Sequence, residues 1–202
     1  MSTEFTRRDV LKSGAAAAAV AALPRVARAA ASGLALSWDE WARHDALGLA
    51  ELVRTQQVTP RELAQQAAAG IAALNPRLNA VIEVWSDRVD GLDERALGDG
   101  PFRGVPFAWK DLGSAEAGRT QESGSRLMKG FRVPVESVLA TRWKRAGLNP
   151  LARTTCPEFG FTLITESTLT GISRNPWSLG HTPGGSSGGA GALVGAGILP
   201  MA

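Results

Sequence analysis

Cysteine and histidine are almost missing from this chain of 202 residues: Cys156 stands alone, and His44 and His181 are the only histidines. A single thiol allows no intrachain disulfide, even in an oxidising compartment. One thiol and two distant imidazoles also lack any zinc-ligand spacing, so no metal is implied. Cys156, set in "TTCPEFGF", reads as a buried packing residue, with a lone nucleophilic thiol as the alternative. Long apolar runs are scarce as well. The run from Ala15 to Leu23 is too short and too rich in alanine for a stable membrane span, which takes about 20 residues. There is no basic stripe with interleaved aromatics. The formal charge of +3 arises in residues 1–31, where Arg7, Arg8, Lys12, Arg25 and Arg28 outnumber Glu4 and Asp9; the remainder is balanced, and nucleic acid is not an expected partner. Neither an internal repeat nor a long polar linker follows Ser37. With 44% hydrophobic and 20% charged residues, that stretch reads as one soluble globular domain.

The N-terminus has a definite order. "TRRDVLKSGAAAAAVAALPRVARAAAS" runs from a charged start through a short apolar segment to small-residue sites such as Ala27-Arg28-Ala29. That order is the one of a cleavable secretory signal. Arg7-Arg8 followed by Val10-Leu11-Lys12 resembles the twin-arginine export signal, with Val where Phe is usual. Residues 1–31 are therefore expected to address the chain through Arg7 and Arg8 to export machinery, for delivery to the periplasm or the exterior. The alternative is a disordered, alanine-rich basic tail.

Beyond Ser37 strands alternate with helices. "DALGLAELVRTQ" has helical apolar spacing. "VTPRELAQQAAAGIAAL" carries stronger marks: Thr59 as N-cap, Pro60 in the first turn and Glu62 completing a capping box, with Asn75-Pro76 expected to end the helix. Asn79 to Trp85 reads as a strand, "SDRVDGLDERALGDG" as a surface helix and turn, Val105 to Trp109 as a buried strand, about Pro134 to Ala146 as a helix, and "LNPLARTT" as a further strand. The alternation predicts an α/β layered fold with a largely parallel or mixed sheet, whose chemistry gathers at the strand ends.

Two places can carry that chemistry. Lys110 closes the buried run of "FRGVPFAWKDL", and because a buried ammonium is unfavourable, the neutral amine becomes an accessible base. The alternative is a strand-end lysine that snorkels to water or pairs with Asp111. The second place is "GGSSGG", Gly184 to Gly189, followed by the small apolar run "AGALVGAGIL" that reads as a buried helix starting near Gly188 or Gly189. Such a loop can cradle an anion, hold a serine in a proton relay, or simply turn. It matches G-x-S-x-G on both Ser186 and Ser187, but residues 188–202 contain no Asp, Glu or His to complete that triad. A phosphate loop would require a lysine that this loop lacks.

Together, "FRGVPFAWKDL", "AGRTQESGSR", "NPLARTTCPEFGF" and "SRNPWSLGHTPGGSSGGAGALVGAG" resemble, in this order, the amidase signature family. The resemblance covers residues 36–202, which corresponds to the N-terminal portion of such a domain. It implies an amidase-signature-type layered fold with a mixed central sheet flanked by helices, incomplete in this chain, and hydrolysis of small-molecule carboxylic amides to acid plus ammonia or amine by a Ser-cisSer-Lys triad. Lys110 matches the general base, and Ser186 the bridging serine, with a cis peptide bond from Gly185. Ser187 would have a supporting hydrogen-bond role at most, within the loop formed by Gly184, Gly185, Gly188 and Gly189. The family's nucleophile lies in a second Gly-Gly-Ser block further along, whose amides form the oxyanion hole. Residues 1–202 end before it, so the chain as given is expected to be inactive, a shortened product or incomplete record of an exported amidase. No cofactor is implied, because lysine and serines handle the proton traffic. The alternative is an exported fragment that binds a ligand or a complementing polypeptide.

Overall fold

A computed structural model describes residues 33–202; the export signal expected in residues 1–31 lies outside them. Helix α1 (Trp38–Trp41) starts with a reciprocal capping box between Ser37 and Glu40. Asp45 caps α2 (Ala46–Arg54) by accepting from the Gly48 N–H at 2.7 Å. The predicted Thr59–Glu62 box opens α3 (Pro60–Leu78), with Pro60 in the first turn.

This third helix does not stop at Asn75-Pro76. It runs on to Leu78, with Pro76 inside its last turn. Proline there forfeits one ladder bond close to an end that loses its ladder anyway. The Asn75 side chain closes the exit: Oδ1 accepts from the Ala80 and Val81 N–H groups at 2.8 Å each, while Nδ2 donates to the Val81 carbonyl at 2.9 Å. Asn79, left-handed at φ +47°, turns the chain into β1 (Val81–Val84), which is shorter than the expected Asn79–Trp85.

The expected surface helix after β1 is replaced by two single 3₁₀ turns, Ser86–Arg88 and Glu94–Ala96. Val89, Leu92 and Leu97 turn into the core. Arginines from elsewhere take the carbonyls between them: Arg61 binds the Leu92 carbonyl at 2.7 Å and Arg103 that of Glu94 at 3.0 Å.

Strands β2 (Pro106–Lys110) and β3 (Asn149–Thr154) are parallel, and β1 lies antiparallel on the other side of β3, giving the order β1-β3-β2. The expected mixed sheet is thus present, with β3 at its centre and buried along its whole length. The parallel pair requires a crossover, and this one carries α4 (Val138–Arg145). That helix begins later than Pro134 because Ser137 serves as N-cap, its Oγ accepting from the Ala140 N–H at 3.1 Å and from the Ala115 N–H at 3.2 Å. A small hairpin, β4 (Glu166–Ser167) with β5 (Gly171–Ile172), precedes α5 (Gly188–Gly195).

The core lies between α3, α5 and the sheet. Leu49, Leu63, Leu151 and Leu193 are wholly enclosed, each contributing about 2 kcal/mol by removal from water. The Trp109 and Trp143 rings stack at 5.1 Å, with Phe107 edge-on to both. For the site, the decisive contact is α5 against the C-terminal edge of β3. Gly189 donates to the Thr155 carbonyl at 3.2 Å, and a Cβ on it would come within 2.6 Å of the Thr155 nitrogen. Only glycine permits that approach.

Candidate active site

Strand β2 delivers Lys110 to the C-terminal edge of the sheet, behind the buried Phe107, Ala108 and Trp109. There Lys110 Nζ lies 2.7 Å from Ser186 Oγ, across 76 positions of sequence. Both residues are half-buried. An amine and a hydroxyl at that separation can exchange a proton directly.

The loop that presents Ser186 is shaped by its glycines and by what they press against. Gly184 has φ +89°, a left-handed conformation that glycine adopts without a steric penalty. The Gly185–Ser186 peptide bond is cis. Gly185 lies flat on the backbone of residues 162–164, where a Cβ would come 2.8 Å from the Leu163 carbonyl carbon and 2.9 Å from the Thr162 oxygen. Gly160, at φ +71°, forms the opposite wall, and a Cβ on it would sit 3.5 Å from Ser186 Oγ. Gly188 and Gly189 open α5, as expected for the start of the buried helix. Ser187 is exposed; its hydroxyl makes no cap hydrogen bond, and its carbonyl accepts from the Gly191 N–H at 2.9 Å.

Asp111 is the next residue along the chain from Lys110, but its carboxylate is engaged elsewhere. It is fully buried and accepts from Arg153 Nη1 and the Glu122 N–H, both at 2.7 Å, and from the Gly124 N–H at 2.9 Å. Arg153, 5% exposed, also reaches Glu122 at 3.0 Å and Glu83 at 3.5 Å. Burial would pull its guanidinium down, but hydrogen bonds and charge from Asp111 and Glu122 outweigh that and hold its pKa above the ordinary arginine value. Lys110 is therefore left to face Ser186 instead of a carboxylate. Arg153, Glu122, Gly160 and the buried Thr165 support this arrangement, and none of them stands out in the sequence as a site residue. An arginine in the middle of the apolar run "NPLARTT" is the one available signal, since a charge in a buried strand needs a partner.

Among the described residues no three His, Cys, Asp or Glu side chains converge to hold a metal ion. Cys156 is wholly buried. Burial, followed by the charge of Asp111, pushes its thiol up to about 12 from an ordinary 9.0, with Lys110 and Arg153 offsetting this only in part. Native protein at pH 8 is expected to leave a thiol reagent such as DTNB unconsumed, and to release one equivalent of chromophore once unfolded in urea. A native-state reaction as fast as that of the unfolded chain would restore Cys156 as a candidate nucleophile.

A family model described as Amidase matches residues 62–202. The chain belongs to the amidase family. A model of the twin-arginine translocation pathway signal sequence matches residues 4–24, so the N-terminus carries an export signal of that type. The 6-aminohexanoate-cyclic-dimer hydrolase of Paenarthrobacter ureafaciens is 39% identical over 166 residues, which cover 81% of this chain and 33% of that protein. The lipoamidase of Enterococcus faecalis is 39% identical over 159 residues, covering 78% of this chain and 22% of its own length. Among solved structures, a bacterial aryl acylamidase of the amidase signature family superposes with a TM-score of 0.70 at 33% identity, over 77% of this chain and 34% of that one. This amidase chain thus spans about a third or less of the length of these curated relatives. The α/β fold with its mixed sheet is the fold the structural neighbours share over the matched part.

Proposed function

We propose that Lys110 and Ser186 are the base and the bridging serine of a proton relay in an amidase that cleaves carboxylic amides to an acid plus ammonia or an amine. The observation carrying this reading is the 2.7 Å separation of Lys110 Nζ and Ser186 Oγ at the end of a buried strand. In the first step the neutral Lys110 amine takes the Ser186 proton while Ser186 takes the proton of a nucleophilic serine, which attacks the amide carbonyl. The proton returns to the departing nitrogen as the C–N bond breaks, and water, deprotonated through the same relay, releases the acid. The family resemblance assigns the nucleophile and the oxyanion-hole amides to a Gly-Gly-Ser block beyond Ser186, and residues 188–202 contain no such block. Residues 1–202 accordingly provide the relay half of the site, in a catalytic part spanning 36–202 behind an export leader of residues 1–31. That leader would direct the enzyme, through Arg7 and Arg8, to the twin-arginine machinery and on to the periplasm or the exterior. Small carboxylic amides are the substrate class this reading takes; the relatives named above include a 6-aminohexanoate-cyclic-dimer hydrolase and an aryl acylamidase.

A second reading, in which the 202-residue chain is an inactive exported piece that pairs with a complementing polypeptide, draws support from Phe161 and Leu163. These apolar side chains, Leu163 within the segment that backs the Ser186 loop and Phe161 just before it, are 80% and 87% exposed. One assay serves both readings. Ammonia or amine release from simple carboxamides should be absent with residues 1–202 alone. It should appear when the chain is carried through the remaining length of its relatives, and should fall at least about 100-fold in Ser186→Ala. Wild-type turnover by Ser186→Ala would overturn the relay.

A further inference from the structure

The geometry points to Thr165 as the positioning residue that holds Ser186 against Lys110, an inference that rests on the relay reading of those two side chains. Thr165 is 1% exposed, and its hydroxyl has one proton to give and lone pairs to receive. It gives the proton to the Gly184 carbonyl at 2.7 Å and receives the Gly188 N–H at 3.1 Å. Gly184 and Gly188 stand two residues before and two residues after Ser186. One buried hydroxyl therefore ties both ends of the segment that presents the serine. The fit on the helix side is close enough that a Cβ on Gly188 would overlap the Thr165 hydroxyl, while Gly185 rests on the backbone just before Thr165.

Thr165 is itself held from behind. Its carbonyl accepts from the Ser173 N–H at 2.9 Å. Ser173 is completely buried, and its hydroxyl donates to the Asn79 carbonyl at 2.7 Å. That use of its only hydroxyl proton makes Thr155 the donor in the 2.7 Å contact between Thr155 Oγ1 and Ser173 Oγ. Thr155 follows Thr154, which pairs with Lys110 across the sheet, and the Thr155 carbonyl also receives the Gly189 N–H at 3.2 Å. A continuous set of hydrogen bonds thus runs from the strand pair bearing Lys110, through Thr155, Ser173 and Thr165, to the loop bearing Ser186. Thr165 is the member that touches the loop on both sides of the serine. Valine there would keep the shape and remove both bonds, leaving the Gly184 carbonyl with only the long 3.5 Å contact from the Thr182 hydroxyl and the buried Gly188 N–H unpaired. Serine would keep them.

Four lysines, Lys12, Lys110, Lys129 and Lys144, make the Lys110 ε-methylene signal assignable in protein labelled with ¹³C-lysine, using Lys110→Arg as the reference. Ser186→Ala then defines where that signal moves when the Lys110–Ser186 contact is gone. Thr165→Val is expected to move it to the same place and to raise amide exchange at Gly188 about tenfold, with exchange along α3 unchanged. Thr165→Ser is expected to restore both to wild type, which a general loss of packing would not do. A folded Thr165→Val protein with the Lys110 signal at its wild-type position overturns the role of Thr165 and leaves the relay standing. No displacement in Ser186→Ala removes the contact itself, and both inferences with it. Should Thr165→Val fail to fold, Gly188→Ala pushes on the same hydroxyl from the helix side. It must displace the Lys110 signal likewise, and an unmoved signal there overturns the inference equally.

Discussion

Lys110→Ala, in the enzyme carried through the length of its relatives, is expected to lower kcat for amide hydrolysis about 1000-fold with KM nearly unchanged. Lys110 touches Ser186 at 2.7 Å, and in the proposed relay it acts through that serine, so its removal should strike proton transfer and leave binding intact. Arginine should not restore activity. A guanidinium reaches as far but stays protonated at any working pH and cannot accept the Ser186 proton. The double variant Lys110→Ala with Ser186→Ala should be no slower than the worse single one, because the two residues form one conduit and breaking it twice adds nothing. Additive losses in that cycle would mean that they act separately. A Lys110→Ala enzyme within tenfold of wild type would remove the lysine from the chemistry.

Local chemistry makes the frame readable in advance, and long-range chemistry does not. Thr59, Pro60 and Glu62 announce the start of α3 because capping is settled within one turn. The end of the same helix departs from its local reading, since whether Pro76 terminates it depends on the Asn75 side chain reaching Ala80 and Val81. The stretch after β1 has residues suited to a helix, yet the Leu92 and Glu94 carbonyls are taken by Arg61 and Arg103 and the chain forms single turns there. Tertiary demands override propensity there. Local sequence marks Lys110 and the GGSSGG loop as candidates with bland alternatives open, and only the family resemblance joins Lys110 to Ser186. Nothing in residues 106–110 says which loop will arrive 76 positions later. Thr165 has no local mark at all in "TLITESTL", because its role is defined by partners at 184, 188 and 173. Arg153 is the intermediate case: its position announces that a buried carboxylate must exist, without saying that it is the one beside the lysine.

That partnership is where the largest change in stability is expected. Arg153→Met should destabilise the fold by about 3–5 kcal/mol, because it leaves the carboxylate of Asp111 fully buried with only the Glu122 and Gly124 amides to face it. For a domain of this size that corresponds to a melting temperature lowered by about 10 °C, measurable by circular dichroism or calorimetry. Arg153→Lys should fall between, since one ammonium cannot reach Asp111, Glu122 and Glu83 as the guanidinium fork does. A melting point within about 2 °C of wild type for Arg153→Met would show that the network carries no net stability. The acid side gives an independent reading. Burial raises the Glu122 carboxyl, but the Gly130 N–H bond and Arg153 more than reverse it, so its folded pKa lies below the ordinary 4.5. A group depressed in the folded state contributes stability that is present above its unfolded value and is lost as the pH falls through the folded one. Wild-type protein should therefore lose stability on acidification below about pH 4.5, and Glu122→Gln should show a shallower loss over that range. Arg153→Met removes one of the groups that hold Glu122 down, so it should flatten the same acid limb while lowering the neutral plateau. If its plateau falls but the limb keeps its wild-type slope, Gly130 and Lys129 depress Glu122 without the arginine, which then serves Asp111 only.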